Sequence, residues 1–96
     1  MDTLKNLRKH RNQIFSIGFK HGATEIKVFG SYARGEADSE SDVDFLVKMK
    51  EGSSLLNLGG LLMDLKDLLG KDVDVVTAGG LKERIRDRVI SEAVDL

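Results

Sequence analysis

The spacing of apolar residues along the chain switches between a helical and a strand pattern. Residues 3–20 repeat apolar side chains at helical spacing, and Gly22 can end that helix in a left-handed conformation. Residues 24–29 alternate apolar with polar side chains, which is typical of a half-buried strand. The pattern therefore predicts a helix and a strand, followed over residues 32–41 by a polar loop that is compatible with a short helical turn at its start.

The second half of the chain repeats strand and helix twice. Residues 42–49 and 71–77 read as a second and a third strand, and a last helix runs to about residue 94. Between these strands, a helix over residues 55–69 follows an N-cap candidate at Ser53 or Ser54. The leucines that share one face of it are Leu55, Leu58, Leu62, Leu65 and Leu69.

A glycine pair lies inside the predicted middle helix. Gly59 and Gly60 should each weaken it by about 1 kcal/mol relative to Ala. Close packing of the helix on the sheet is the reason we expect for their presence.

These elements predict an α/β (α+β) fold. The helix between the second and third strands favours a parallel pair with a right-handed crossover. The short loop between the first and second strands favours an antiparallel pair. We therefore expect a small mixed three-stranded sheet flanked by helices, in a single domain over residues 1–96.

The composition argues against several classes of protein. Of the 96 residues, 41% are hydrophobic and 5% aromatic, which suffices for one small aliphatic core and makes burial against a partner favourable. The net charge of −1 argues against a long nucleic acid as the main substrate. No apolar run approaches the roughly 20 residues of a membrane span. The absence of cysteine excludes disulfides and thiolate metal sites and leads us to expect a reducing cytoplasm.

Two aspartates at the start of the second strand are the first candidates for chemistry. Asp42 and Asp44 are two residues apart, so their side chains should point to one face of the sheet, while Val43 and Phe45 point to the core. Carboxylates held side by side repel each other unless a cation lies between them, and Mg²⁺ prefers such oxygen ligands. The alternative is an exposed strand edge with two surface aspartates.

A third aspartate lies near the start of the third strand. If the second and third strands are parallel neighbours, Asp74 meets Asp42 and Asp44 at one end of the sheet. Three carboxylates there could clamp two metal ions roughly 3.5–4 Å apart. Asp72 points to the same face and is a competing candidate. We prefer Asp74, because it lies within the strand and Asp72 lies at its frayed beginning.

Gly30 and Ser31, at the end of the first strand, are candidates for binding phosphate. Because this strand should run antiparallel to the second, its C-terminal end emerges beside Asp42. A glycine lets a phosphate approach the backbone, and the Ser31 hydroxyl and the following N–H groups can bind phosphate oxygens. Arg34 lies one turn further on and could contact the same phosphates. Taken alone, Ser31 could equally be an ordinary turn or cap residue.

Two other motifs do not fit. Residues 30–35 have the glycine spacing of a P-loop, but Glu36 stands where the phosphate-binding Lys is required. A calcium loop that began at Asp38 would need Gly at its sixth position and Glu at its twelfth, which are Val43 and Met49.

Several residues outside these motifs are weaker candidates for a functional role. We expect His10 and His21 on the surface, without a role. Tyr32 and the basic side chains of the last helix could meet a partner or a nucleotide, although a solvated helix face is the simpler interpretation. These basic residues are Lys82, Arg84, Arg86 and Arg88.

Together, the motifs resemble a known superfamily. Gly30-Ser31, followed after ten residues by Asp42-Val43-Asp44, is similar to the pattern of the DNA polymerase β-like nucleotidyltransferases. The run over residues 30–37 resembles the minimal nucleotidyltransferase branch, and residues 70–76 resemble its third-carboxylate strand. The resemblance covers nearly the whole chain and implies a nucleotidyltransferase fold like the palm of polymerase β.

The resemblance also implies an activity. Proteins of this branch are commonly the antitoxin of a toxin–antitoxin pair, and their partner is a small helical ribonuclease of the HEPN type. They are thought to transfer AMP from ATP to a Tyr of that toxin. By resemblance, Asp42 and Asp44 hold two Mg²⁺ ions, Asp74 completes the site for the incoming hydroxyl, and Ser31 binds triphosphate oxygens. ATP is then the substrate, and the protein forms a hetero-oligomer with the toxin.

Two other functions stay open. The protein could be a binding module that neutralises its partner by occlusion, with a vestigial nucleotide site, or a nucleotidyltransferase with another acceptor, such as a small molecule or an RNA end. The set of Ser31, Asp42, Asp44 and Asp74 favours catalysis, because a vestigial site has no physical reason to keep repelling carboxylates. Since 96 residues leave little room for an acceptor-binding segment, we expect the acceptor on another chain.

Overall fold

The computed structural model describes residues 3–96. Helices and strands alternate through most of this range, and a turn of 3₁₀ helix, Ala78–Gly80, follows the third strand. The helices are α1 (Leu4–Arg8), α2 (Arg11–Lys20), α3 (Gly30–Arg34), α4 (Leu55–Leu69) and α5 (Glu83–Glu92), and the strands are β1 (Ala23–Phe29), β2 (Val43–Met49), β3 (Val73–Thr77) and β4 (Val94–Asp95).

The strands form one mixed sheet in the order β3-β2-β1-β4. As predicted, β1 and β2 are antiparallel, and β2 and β3 are parallel with α4 as their connection. The predicted count of three strands was wrong by one. Val94 and Asp95 pair antiparallel with Val28 and Lys27 of β1. A two-residue strand is too short to show an alternating pattern, so no local pattern predicted it.

The core lies on one face of this sheet. Val43 and Phe45 of β2 are 0% exposed, as their alternation with the aspartates predicted. Helix α4 covers them with Leu61, Leu65 and Leu69, all of which are buried. The opposite face is only partly covered, by α5, and it carries the acidic side chains of the candidate site.

The first helix is divided where a continuous one was expected. The N–H groups of Lys9 and His10 donate to the carbonyls three residues back, at 3.2 Å and 3.0 Å, and this tightened turn ends α1. Helix α2 then starts at Arg11 and ends at Lys20, with His21 as its C-cap, after which Gly22 adopts a φ of 92°.

Helix α4 has the predicted ends but buries a different face. Ser54 and Asn57 form a capping box, and Gly70 ends the helix in the left-handed conformation. Leu55, expected on the core face, is 85% exposed, whereas Leu61 is 0% exposed. In the first turn of α4, Leu56 is exposed like Leu55, at 87%, whereas Leu58 packs partly against the core.

The glycine pair does not interrupt α4, and it does not pack on the sheet. A Cβ on Gly60 would lie 2.7 Å from Cε1 of His21, while one on Gly59 would meet nothing within 4 Å. His21 is therefore not the surface residue we expected. Its side chain is 18% exposed, and its Nε2 lies 2.6 Å from Oδ2 of Asp64.

The last helix ends two residues earlier than predicted, because Ala93 adopts an extended conformation that leads into β4. Arg86 of α5 is not a free basic side chain. It donates to the carbonyls of Ala78 and Leu81 at 2.8 Å and 3.0 Å and so fixes the turn after β3. None of the helices in the described part of the chain has the length and apolar character needed to cross a membrane.

Candidate active site

The third aspartate lies where parallel pairing was expected to place it. Asp44 of β2 and Asp74 of β3 are Cα partners in the parallel ladder. Neighbouring strands lie about 4.8 Å apart, and partners in register point to the same face. The two carboxylates therefore share the open face of the sheet.

Asp42 precedes β2 by one residue and is exposed. It lines a cavity of about 380 Å³ together with Asp44, Gly30, Ser31 and Arg34. The structure thus brings five of the six predicted site residues to one concavity. Asp74 is not among the residues that line it and stands beside it on the next strand.

The pKa of Asp44 is raised by its surroundings, which include other carboxylates. Partial burial, followed by the negative charges of Asp74 and Asp42, raises its pKa from 3.8 to about 6. Arg34 acts in the opposite direction, and Glu92 adds a smaller increase. The site holds more negative charge than its own basic groups neutralise, which is an environment that favours a cation.

The competing candidate Asp72 lies outside this cluster. Its side chain is 77% exposed and lies 3.5 Å from Nζ of Lys66, on α4. Asp74 is the carboxylate whose charge raises the pKa of Asp44 most. The preference for Asp74 over Asp72 therefore agrees with the geometry.

Gly30 makes the close contact between the phosphate-binding candidates and the carboxylates possible. It has a φ of 72°, and a Cβ added to it would collide with Oδ2 of Asp44 and lie 3.1 Å from its Cγ. Only glycine combines this left-handed backbone with such a close approach. The end of β1 is thereby held against Asp44, with Ser31 next to it on the cavity wall.

Arg34 is oriented by two carboxylates. Its Nη1 donates to Glu92 Oε1 at 2.6 Å, and its Nε donates to Glu36 Oε2 at 3.1 Å. Glu92 also accepts the backbone N–H of Gly30 at 3.1 Å. The hydrogen bond from Arg34 lowers the pKa of Glu92, with the Gly30 N–H adding to the effect and partial burial opposing it.

Glu92 is the residue that the sequence analysis missed. It lies at the end of α5 and lines the cavity with Arg88 of the same helix. Of the four basic residues singled out on this helix, Arg88 is the one that lines the cavity. No local motif marks Glu92, because its contact to Gly30 joins residues 62 apart in the chain.

Tyr32 does not face a nucleotide or a partner. Its side chain is 1% exposed and belongs to the hydrophobic core. The ammonium group of Lys71 lies 5.6 Å from its ring centroid. In the short helix α3, Tyr32 therefore anchors the segment that follows Gly30 and Ser31.

A second, larger concavity lies further along the same open face of the sheet. It has a volume of about 500 Å³, and its lining includes Leu46, Ile90 and the turn at Ala78 and Gly79. Leu46 is two residues beyond Asp44 on β2, so this apolar groove adjoins the acidic end of the sheet. Among residues 3–96, no three acidic or histidine side chains stand close enough together to hold a metal ion by themselves.

Comparison with known proteins decides the family. Residues 4–96 match the family model described as a nucleotidyltransferase domain. A solved structure described as a minimal nucleotidyltransferase is 46% identical, with a TM-score of 0.88, and the match covers 100% of this chain and 97% of that chain. The chain belongs to the minimal nucleotidyltransferases. The fold and the enzyme class implied by the motifs are therefore confirmed.

Two curated relatives extend the comparison. A Methanocaldococcus jannaschii protein assigned to the protein adenylyltransferases is 43% identical to this nucleotidyltransferase over 91 residues, which cover 95% of this chain and 98% of the relative. The protein adenylyltransferase MntA of Thermococcus cleftensis is 48% identical over 75 residues, which cover 78% of this chain and 76% of that protein.

The fold is also found in a crystal structure of a toxin–antitoxin with AMP-PNP. The TM-score is 0.74 at 24% identity, and the match covers 86% of this chain and 68% of that chain. At this level of identity the likeness shows the shared fold alone.

Proposed function

We propose that this minimal nucleotidyltransferase acts as a single domain that transfers AMP from ATP to a hydroxyl group of a partner protein. The observation that carries the proposal is the register pair of Asp44 and Asp74, of which Asp44 lies against Gly30 at the end of β1. Carboxylates for cations and donors for phosphate then meet at one end of the sheet, which is the arrangement that phosphoryl transfer requires.

The donor set fits divalent metal ions. Asp42, Asp44 and Asp74 supply only oxygen, which Mg²⁺ prefers. The pKa of Asp44 is raised first by partial burial and then by the charges of Asp74 and Asp42, which a cation would neutralise. Mg²⁺ usually takes one or two protein carboxylates and completes its shell with water and substrate phosphates. We assign two Mg²⁺ ions to these residues. When bound, the ions activate the attacking hydroxyl and neutralise the leaving pyrophosphate.

The nucleotide is assigned to the cavity of about 380 Å³ beside these carboxylates. Gly30 and Ser31 offer backbone N–H groups and a hydroxyl to the triphosphate, and Arg34 adds a guanidinium on the same wall. In the reaction, the acceptor oxygen forms a bond to the α-phosphorus and the bond between the α-phosphorus and the bridging oxygen breaks. The products are an adenylylated hydroxyl, pyrophosphate and a proton.

We assign the acceptor to a toxin and the protein to the antitoxin role. Relatives at 43% and 48% identity are named as protein adenylyltransferases, and a structure of the same fold is a toxin–antitoxin with AMP-PNP. The motif resemblance adds a HEPN-type ribonuclease as the toxin, a Tyr as the acceptor and the cytoplasm as the compartment. The side chains of Phe19, Leu55 and Leu56 are 83–87% exposed, and apolar surface of this kind suits a hetero-oligomer.

The alternative is an antitoxin that acts by occlusion alone. The exposed apolar residues would serve that function equally well. The strained carboxylate cluster supports catalysis instead, because a site without a cation gains nothing from keeping Asp44 beside two other carboxylates. Transfer to another acceptor, such as an RNA end, is the remaining alternative, and it receives no specific support from the described residues.

One experiment separates these functions. The protein is incubated with Mg²⁺, ATP labelled at the α-phosphate and a helical partner protein that co-purifies with it. We expect label on the partner with the natural protein, and loss of label with Asp42→Asn or Asp44→Asn while circular dichroism stays unchanged. Label transfer by both variants would refute the metal assignment. Variants that lose transfer yet still protect cells from the partner would establish occlusion as the main mechanism.

A further inference from the structure

Glu92 occupies two of the donors that line the candidate phosphate site. Its Oε2 accepts the N–H of Gly30 at 3.1 Å, and its Oε1 accepts from Nη1 of Arg34 at 2.6 Å. The side chain is only 17% exposed, although a glutamate at the end of a surface helix is usually solvated. Both oxygens of one carboxylate are thus bound as the oxygens of a phosphate would be.

We propose that Glu92 is an internal anion that holds Gly30 and Arg34 in the nucleotide-free protein, and that the triphosphate must displace it. The inference rests on the proposed function, since it concerns the same phosphate site. It assigns to Glu92 a part in setting nucleotide affinity, beyond the roles given to the three aspartates.

The charges around the cavity support displacement. Its lining carries the carboxylates of Asp42, Asp44 and Glu92 against the two guanidinium groups of Arg34 and Arg88. If Glu92 stayed in place, a triphosphate bound to Gly30 and Arg34 would lie next to the Glu92 carboxylate. Like charges at such distances repel each other. Displacement removes this repulsion and frees the Gly30 N–H and one arm of Arg34.

The backbone allows this movement. Glu92 is the last residue of α5, and pairing of β4 with β1 fixes the chain directly after it. The glutamate side chain has three rotatable bonds, so its carboxylate can leave Gly30 by a change of rotamer while the helix stays in place. The competition is therefore between one side chain and the ligand.

Binding of inorganic tripolyphosphate with Mg²⁺, measured by calorimetry, tests the inference without the acceptor or the adenosine. We expect Glu92→Gln to bind it about tenfold more tightly than the natural protein, because the charge that competes for Gly30 and Arg34 is gone. We also expect a lower Tm for this variant, since the amide has one acceptor oxygen, without a charge, for the two donors of Gly30 and Arg34. Higher affinity together with lower stability is a combination that simple damage to the fold would not produce.

Glu36→Gln is the matched control. Glu36 also accepts from Arg34, at 3.1 Å, but its side chain is 65% exposed and it makes no bond to Gly30. The affinity of the Glu36→Gln variant for tripolyphosphate should stay within about twofold of that of the natural protein. If Glu92→Gln does not fold, Glu92→Ala removes the same charge and takes its place.

Unchanged or weaker binding by the Glu92 variant, or no binding of tripolyphosphate by any of the proteins, overturns the inference. A gain in affinity without transfer of labelled AMP to any acceptor supports the inference and refutes the proposed function. Labelled transfer without a gain in affinity refutes only the inference.

Discussion

Asp44 of β2 and Asp74 of β3 are in register across the parallel pair, so their side chains lie on the same face of the sheet. A shift of one residue in this pairing would turn Asp74 toward the core side. The candidate site therefore depends on the register of two strands joined through a helix of 15 residues. Val43 and Phe45 of β2 are 0% exposed, and they oppose a slip of β2 by one residue because it would turn them out of the core.

The raised pKa of Asp44 predicts a pH-dependent stability in metal-free protein. Folded Asp44 keeps its proton up to about pH 6, whereas its pKa when exposed is 3.8, so folding favours the protonated form between these values. The free energy of unfolding should therefore fall as the pH rises through this window, by on the order of 1 kcal/mol after allowance for solvent screening. Asp44→Asn should lack this decrease.

Urea unfolding between about pH 4 and pH 7, in the presence of a chelator, checks this prediction. The difference between the two proteins isolates Asp44 from the other carboxylates, which titrate in both. If the stability of the natural protein follows that of Asp44→Asn throughout this range, the pKa of Asp44 is not raised in the folded protein.

Replacement of Gly30 by alanine should damage both fold and site. The backbone at Gly30 has a φ of 72°, and the added Cβ would collide with Asp44. We expect a loss of about 3 kcal/mol in the free energy of unfolding and loss of nucleotide binding.

Gly35 is the control, because its φ is 75° but a Cβ there meets nothing within 4 Å. Gly35→Ala should cost only about 1 kcal/mol. Equal losses for the two variants would show that the contact with Asp44 is unimportant.

The two adjacent glycines of α4 should respond to alanine with opposite signs. Gly59 faces open space, so Gly59→Ala should raise the free energy of unfolding by about 0.5–1 kcal/mol through helix propensity. At Gly60 the new Cβ would lie 2.8 Å from Nδ1 of His21, whose ring is fixed by Asp64. We expect Gly60→Ala to destabilise by about 1–2 kcal/mol. Thermal unfolding of both variants measures the difference, and a stabilising Gly60→Ala would mean that the His21 ring moves aside freely.

Much of the sheet followed from alternation in the sequence. Asp42 and Asp44 alternate with Val43 and Phe45, so one face had to be buried and the other acidic. The connecting helix then required a parallel neighbour, and this placed Asp74 beside Asp44. These inferences needed only local patterns and rules of chain connection.

Other features depended on contacts between distant residues, and local patterns could not reveal them. Glu92 reaches Gly30 across 62 positions, and His21 reaches Asp64 across 43. Leu55 is exposed although helical spacing groups it with Leu65 and Leu69, which are buried. Tyr32 is buried because α3 packs on β1 and β2, and a polar loop sequence gives no sign of that packing.

The pair Asp74→Asn and Asp72→Asn provides the most direct test of the account. Both substitutions remove one negative charge at or near the start of β3. Asp74 is the register partner of Asp44, whereas Asp72 is exposed and lies 3.5 Å from Nζ of Lys66. In Mg²⁺-dependent transfer of labelled AMP, Asp74→Asn should be slower by on the order of 100-fold, and Asp72→Asn should stay within about twofold of the natural protein. Normal transfer by Asp74→Asn, or an equal loss in both variants, would contradict a site built from Asp42, Asp44 and Asp74.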